Sequence, residues 1–127
     1  MSEVTCLELS VVLWFVHLAC VLGAAPFAVP LGWRLSSRDK PAAPKGVLFG
    51  RANRALANYV ENFTVFAALD LALIATHQPG GWGPTTWILA RILYLPLYLF
   101  DVIYVRTFAW AVALVAILTM LGRLTWS

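Results

Sequence analysis

The sequence predicts an all-α integral membrane protein, a bundle of four transmembrane helices that forms one domain over residues 1–127. Of the 127 residues, 61% are hydrophobic and 12% are charged, whereas a soluble domain carries roughly 25% charged residues. The apolar residues fall into stretches of about 20, the length that crosses the hydrocarbon core of a bilayer. Short stretches rich in proline, glycine or basic residues separate them. This composition excludes a water-soluble enzyme and a disordered chain.

The first span is predicted over Leu7–Val29, with Pro26 and Pro30 at its end. His17 is its one strongly polar side chain away from the ends. The stretch is longer than the apolar part of a secretory signal and has no basic residues before it. We therefore interpret it as a retained span.

The other three helices follow a polar loop that runs from Trp33 to about Gly50. The second helix is predicted from about Arg51 to Thr76. An uncharged, proline- and glycine-rich turn over residues 78–84 separates it from the third. The third helix is predicted over Thr85–Tyr104 and the fourth over Thr107–Leu124.

Basic residues predict the orientation of the bundle. The first loop and the start of the second helix hold six of them, and the second loop holds none. The positive-inside rule then places the first loop in the cytoplasm and both termini on the other side. Arg106 agrees with this orientation, and Arg123 argues weakly against it. Because the bases cluster beside an apolar run, the net charge of +3 indicates a membrane surface and no nucleic-acid partner.

Two polar stripes interrupt the predicted spans. At 3.6 residues per turn, each stripe falls on one helix face. Ionisable groups inside a span are costly, so each is a functional hypothesis. Two such faces could line one pocket, or they could only lock the helices together through hydrogen bonds. The second helix contributes Arg51, Arg54, Asn58, Glu61 and Asn62, and the third Arg91, Tyr94, Tyr98 and Asp101.

The side-chain types indicate what such a pocket binds. Guanidiniums grip carboxylates with two parallel hydrogen bonds and keep their charge. One carboxylate beside them suits a ligand ammonium. A cationic site also favours a thiolate over a thiol, which activates a sulfur nucleophile. The residues alone therefore predict an anionic, peptide-like ligand and no metal site.

The run from Arg51 to Phe63 resembles the helix-two signature of the MAPEG family, the membrane-associated proteins in eicosanoid and glutathione metabolism, and in particular its microsomal glutathione transferases. The signature is an arginine, an asparagine four residues later and a glutamate three further, here Arg54, Asn58 and Glu61. Residues 90–98 and the later Arg106 resemble the third-helix segment. The resemblance covers nearly the whole chain.

The resemblance implies a homotrimer with glutathione, the co-substrate, bound between neighbouring subunits. The glutathione-binding set would be Arg34, Arg51, Arg54, Asn58, Glu61, Tyr94 and Tyr98. The catalytic set would be Arg106, Tyr94 and Tyr98, with Arg106 stabilising the thiolate.

Asp70 lies within the second helix on a different face from Glu61. Counted from the uncharged turn, Asp70 and Arg91 lie about 10 Å deep at 1.5 Å per residue. A buried charge needs a partner, so we expect an Asp70–Arg91 ion pair, with Glu61–Arg91 as the second choice.

Three functions remain open. The first is a glutathione-dependent membrane transferase or peroxidase that acts on a lipophilic small molecule. The second is a non-catalytic protein of the same fold that binds membrane lipids or serves as a scaffold, and glutathione affinity discriminates it from the first. The third is a four-span multidrug exporter, which needs a carboxylate in the middle of its first span, whereas Glu8 lies at the edge.

Overall fold

The structure, a computed structural model, describes residues 1–126 and is all-helical over them, as predicted. Four long helices and one short helix follow each other along the chain. Their bounds are α1 Glu3–Ala28, α2 Leu31–Leu35, α3 Leu48–Ala75, α4 Gly83–Leu99 and α5 Ile103–Thr125.

Helix α1 begins four residues before the predicted start. The Ser2 hydroxyl caps it by accepting a hydrogen bond from the Thr5 amide at 3.2 Å. The prediction that Pro26 ends the span is wrong, since Pro26 lies inside the last turn. Proline lacks an amide proton, so Pro26 cannot donate a hydrogen bond within this turn. The helix nevertheless continues for two more residues and ends at Ala28. The short α2 occupies part of the stretch predicted to be a loop.

The boundary between the third and fourth long helices also differs from the prediction. Helix α4 ends at Leu99, and α5 begins at Ile103. Asp101 lies between them with a left-handed φ of 59°, a conformation that aspartate tolerates better than most residues. Arg51 donates a hydrogen bond to the Leu99 carbonyl oxygen at 3.2 Å, which satisfies one of the free carbonyls at the end of α4. Arg106 therefore belongs to α5.

Helices α3 and α4 lie at the centre of the bundle. Helix α1 packs against both from one side, and α5 packs against both from the other. Phe66 of α3 stacks on Trp87 of α4 with ring centroids 3.9 Å apart and planes within 4°. Tyr59 lies on one side of this stack, beside Trp87. The Tyr59 ring also stacks on the His17 ring of α1, with centroids 4.3 Å apart. These aromatic contacts fix the register of α3 against α4 near mid-bundle.

Among residues 1–126, two helices, α1 and α5, are long and apolar enough to cross a bilayer by length and composition. Helix α4 has 17 residues, slightly fewer than a typical span. Helix α3 is long enough but carries the polar stripe. The two apolar helices thus flank the two that carry the polar side chains.

Candidate functional site

A shallow cleft of about 230 Å³ lies at the end of the bundle where α3 begins and α4 ends. Three helices contribute to it. Asn58 comes from α3, Tyr94 and Tyr98 come from α4, and Arg106 comes from α5. Thr107 and Trp110 of α5 complete its wall, at offsets of one and four residues from Arg106. Asn58 belongs to the polar stripe of α3, and Tyr94 and Tyr98 belong to that of α4.

Tyr98 is the point at which the cationic side chains of the site converge. The Arg106 guanidinium lies over its ring at 4.6 Å from the centroid. Arg54 donates its Nε–H to the Tyr98 hydroxyl oxygen at 3.3 Å. The Tyr94 ring lies 5.6 Å from the Tyr98 ring. Two positive charges and two phenols therefore surround one small volume.

Arg91 lies beneath this cleft and is fully buried. It donates a hydrogen bond from Nη2 to the Asn58 Oδ1 atom at 2.9 Å. Its guanidinium also lies 4.3 Å from the Tyr94 ring centroid and 5.4 Å from that of Tyr59. Arg91 thus contacts Asn58 and Tyr94, which line the cleft, but Arg91 itself does not line it.

The Asp101 carboxylate forms ion pairs with two of the predicted site arginines. The carboxylate lies 3.3 Å from Arg51 Nη2 and 3.5 Å from Arg106 Nη1. The prediction that Asp101 continues the stripe of α4 is wrong, because the chain leaves the helix at Leu99. The left-handed turn nevertheless brings its carboxylate beside the arginines. Since the Asp101 side chain is 46% exposed, these pairs add little stability, and their main effect is to hold both guanidiniums.

Arg54 and Glu61 lie on the face of α3 that the rest of the protomer leaves exposed. Within residues 1–126, Glu61 forms no ion pair with Arg91, so the second-choice pairing is wrong. Arg34 lies on α2 and, within the same residues, has no hydrogen bond to the side chains of the cleft. The structure therefore brings Asn58, Tyr94, Tyr98 and Arg106 together but leaves Arg34 and Glu61 outside the cleft of a single protomer.

The predicted Asp70–Arg91 ion pair is wrong. Asp70 is fully buried, and neither carboxylate oxygen has a hydrogen-bond partner within residues 1–126. Asp70 lies five residues before the end of α3, whereas Arg91 lies eight residues after the start of α4. Because the stacked rings of Phe66 and Trp87 share one level and the two helices run in opposite directions, Asp70 and Arg91 differ by about 11–12 Å in depth. The Phe66–Trp87 stack occupies the level between them, one turn from each.

Sequence reasoning missed Tyr59, Thr107 and Trp110. Trp110 lies one helical turn after Arg106 only if α5 begins before Arg106, and Thr107 then lies one turn before Trp110. The predicted start at Thr107 concealed that spacing. Tyr59 lies next to Asn58 in the signature run, and its hydroxyl donates to the Ser10 carbonyl oxygen at 2.6 Å. Its role is to join α3 to α1 beneath the site.

Together the apolar outer helices and the two helices with polar stripes define a membrane helical bundle with a polar cleft at one end. Comparison with known families gives the same result, since the profile of the MAPEG family matches residues 4–126. The chain belongs to the MAPEG family and is therefore a membrane protein related to glutathione and eicosanoid metabolism. No curated protein and no solved structure matches the chain. The family resemblance of the sequence is confirmed.

Proposed function

We propose that this protein is a glutathione-dependent membrane transferase or peroxidase that acts on lipophilic electrophiles. One observation carries the proposal, namely that Asn58, Tyr94, Tyr98 and Arg106 come from three helices and line one cleft. MAPEG membership supports glutathione as the ligand.

The charges of the site suit the two ends of glutathione. Arg54 and Arg51 bind ligand carboxylates, because a guanidinium matches a carboxylate in shape and charge. Glu61 receives the ligand ammonium. Asn58 donates its amide N–H to a ligand carboxylate or carbonyl oxygen. Arg34 approaches the ligand only from outside the cleft of its own protomer.

The site is completed by a second copy of the chain in a cyclic homotrimer. The cleft of about 230 Å³ is smaller than the roughly 300–1,000 Å³ of ligand pockets that hold drug-sized molecules. Arg54 and Glu61 lie on an exposed face of α3, and polar groups facing lipid cost several kcal/mol each. A neighbouring subunit packed against this face enlarges the cleft and shields Arg54 and Glu61 from lipid. Closed cyclic symmetry gives three equivalent sites.

The chemistry begins with the thiol of bound glutathione. Arg106 and the hydroxyls of Tyr94 and Tyr98 stabilise the thiolate, and the proton leaves to solvent. In transfer, the thiolate sulfur forms a bond to the electrophilic carbon while the leaving group departs with the bonding pair. In peroxide reduction, the thiolate sulfur attacks the terminal oxygen of the hydroperoxide, the O–O bond breaks, and the alkoxide takes a proton from solvent and leaves as an alcohol. The sulfur keeps the hydroxyl as a sulfenic acid, which a second glutathione thiol attacks to give glutathione disulfide and water. The lipophilic substrate reaches the sulfur from the surrounding membrane.

The first loop faces the cytoplasm in this proposal, and the termini face the other side, because the basic residues concentrate in that loop. A cysteine placed at Ser37 in the loop then reacts with an impermeant maleimide added from the cytoplasmic side only. Reaction from the opposite side alone reverses the orientation.

One observation favours the non-catalytic alternative, in which the protein binds lipid or acts as a scaffold. The Arg106–Asp101 contact of 3.5 Å partly neutralises the cation that thiolate formation requires. Purified protein in lipid nanodiscs distinguishes the two functions when glutathione binding and conjugation of an aromatic halide are both measured. The enzyme binds glutathione and turns over. A scaffold gives neither signal, and a protein that binds without turnover with several electrophiles overturns the catalytic part.

A further inference from the structure

A second cleft lies at the other end of the bundle, away from the proposed glutathione site. Its volume is about 550 Å³, and it opens between the turn that joins α3 to α4 and the last two turns of α5. Helix α5 lines both clefts, and its nearest lining residues, Trp110 of the first and Leu118 of the second, lie eight residues or about 12 Å apart along the helix. The lining includes Gln78, Trp82, Leu118, Thr119, Arg123 and Trp126.

The cleft is at the level of the lipid headgroups. Helix α5 has 23 residues, about 34 Å at 1.5 Å per residue, which slightly exceeds the roughly 30 Å hydrocarbon core. Trp82 and Trp126 are 52% and 90% exposed, and tryptophan concentrates at the membrane–water interface. Arg123, in the last turn of α5, therefore lies beside phosphates.

Arg123 is a cation that the protein leaves open to a ligand. Within residues 1–126 it forms no ion pair, and Glu3, the carboxylate at this end, accepts the Gly80 amide at 2.7 Å. Gly81 has a left-handed φ of 66°, and a Cβ there would lie 3.0 Å from an Arg123 guanidinium nitrogen. The bare backbone of Gly81 thus lets the guanidinium pack against the turn. No lysine or arginine occurs in residues 62–90, so Arg123 is the basic side chain beside this turn, where the Met1 amino group and the Glu3 carboxylate also lie.

An apolar path leads from the cleft along α5 toward the middle of the membrane. Leu118 lines the cleft and is 58% exposed, and Val115, three residues earlier, is 51% exposed. Ala111 is exposed one turn further on. Offsets of three and four residues place these side chains on one helix face. A ligand that fills the cleft and follows this path is anionic at one end and a long hydrocarbon at the other.

We propose that this cleft binds an anionic phospholipid, with its phosphate on Arg123 and one acyl chain along Leu118, Val115 and Ala111. The guanidinium holds the phosphate through paired hydrogen bonds. The Gln78 amide and the indole N–H of Trp126 are further donors at the rim. This site is independent of glutathione binding.

Photoactivatable phospholipids test the proposal in the full chain. Anionic and zwitterionic lipids with identical acyl chains and a diazirine near the headgroup are added to purified protein, and labelled peptides are mapped by mass spectrometry. We expect the anionic lipid to label residues 118–126 in preference to the zwitterionic one. Arg123→Gln lowers this labelling about fivefold, the equivalent of about 1 kcal/mol for one basic side chain at an anionic surface. Labelling of the basic loop over residues 34–45 stays unchanged and is the internal control.

Leu118→Gln tests the acyl path separately and lowers labelling of residues 118–126 while Arg123 is retained. Equal labelling by both lipids, or anionic labelling that survives Arg123→Gln, overturns the proposal. Soluble glycerol phosphate is the competitor that distinguishes a lipid from a free phosphate. If it displaces the label as well as unlabelled anionic lipid does, the site is a phosphate site and the lipid assignment is wrong.

Discussion

Arg91 donates a hydrogen bond of 2.9 Å to the Asn58 Oδ1 atom from a fully buried position beneath the cleft. An arginine has donors only, so this contact occupies the carbonyl side of the Asn58 amide. The Nδ2 group remains for the cleft. Asn58 therefore selects a ligand atom that accepts a hydrogen bond, such as a carboxylate or carbonyl oxygen.

Asn58→Asp tests this selection. The new carboxylate still accepts from Arg91, so the fold and the thermal unfolding midpoint are retained. Its second oxygen cannot donate, and a lost hydrogen bond to a charged ligand group costs about 1.5–3 kcal/mol. We expect glutathione affinity to fall by about tenfold or more in calorimetric titration. An affinity equal to that of the wild type would remove Asn58 from the binding site.

Asp70→Asn is expected to leave the protein as stable as the wild type or to stabilise it by about 1 kcal/mol. Asp70 is buried without a partner within residues 1–126, so the amide removes a costly carboxylate. Breaking a buried ion pair would instead cost about 3–5 kcal/mol. Thermal unfolding in detergent measures the difference. Asp101→Asn, which removes exposed ion pairs, is the matched control and costs at most about 1 kcal/mol. A loss of stability of about 3–5 kcal/mol in Asp70→Asn would contradict this expectation and indicate that Asp70 has an ion-pair partner.

Glu61→Gln and Arg54→Ala are expected to weaken glutathione binding strongly while helicity stays intact. Truncating one member of a desolvated charge pair costs about 2–5 kcal/mol. Glu8→Gln changes an exposed carboxylate on α1 and should bind glutathione like the wild type. Wild-type affinity in both Glu61→Gln and Arg54→Ala would exclude these residues from the site.

Arg106→Ala is expected to abolish the thiolate absorbance of bound glutathione near neutral pH. Turnover should fall much more than affinity, because the lost interaction concerns thiolate formation and not carboxylate binding. Tyr94→Phe and Tyr98→Phe examine the rival donors. If Arg106→Ala keeps full turnover while one of the phenylalanine variants loses it, a tyrosine activates the thiol.

The central residues of the site were predictable because they lie in regular helices. Arg54 and Asn58 share a face of α3, and Tyr94 and Tyr98 share a face of α4. Spacings of three and four residues place side chains on one helix face whatever the helix packs against. The family signature added the expected ligand.

The residues that sequence reasoning misplaced depend on helix ends and on register between helices. The helix breaks at Asp101, which has a left-handed φ. The spacing of residues from Arg91 to Tyr104 is typical of one continuous helix, so it does not indicate this break. The Asp70–Arg91 prediction was wrong because depth was counted from the turn as if both helix ends lay at one level, and the predicted limits of the turn were also off by one residue at Ala75 and two at Gly83. The stacking of Phe66 on Trp87, a tertiary contact without a local sequence signal, sets the actual register.

Native mass spectrometry in gentle detergent with glutathione present tests the central claim, a glutathione site shared between subunits. We expect an assembly of three 14.0 kDa chains that retains up to three glutathione molecules. The same experiment on Glu61→Gln should show the three-chain assembly with little glutathione bound. Only monomers or dimers, or three chains that retain no glutathione at any concentration, would contradict it.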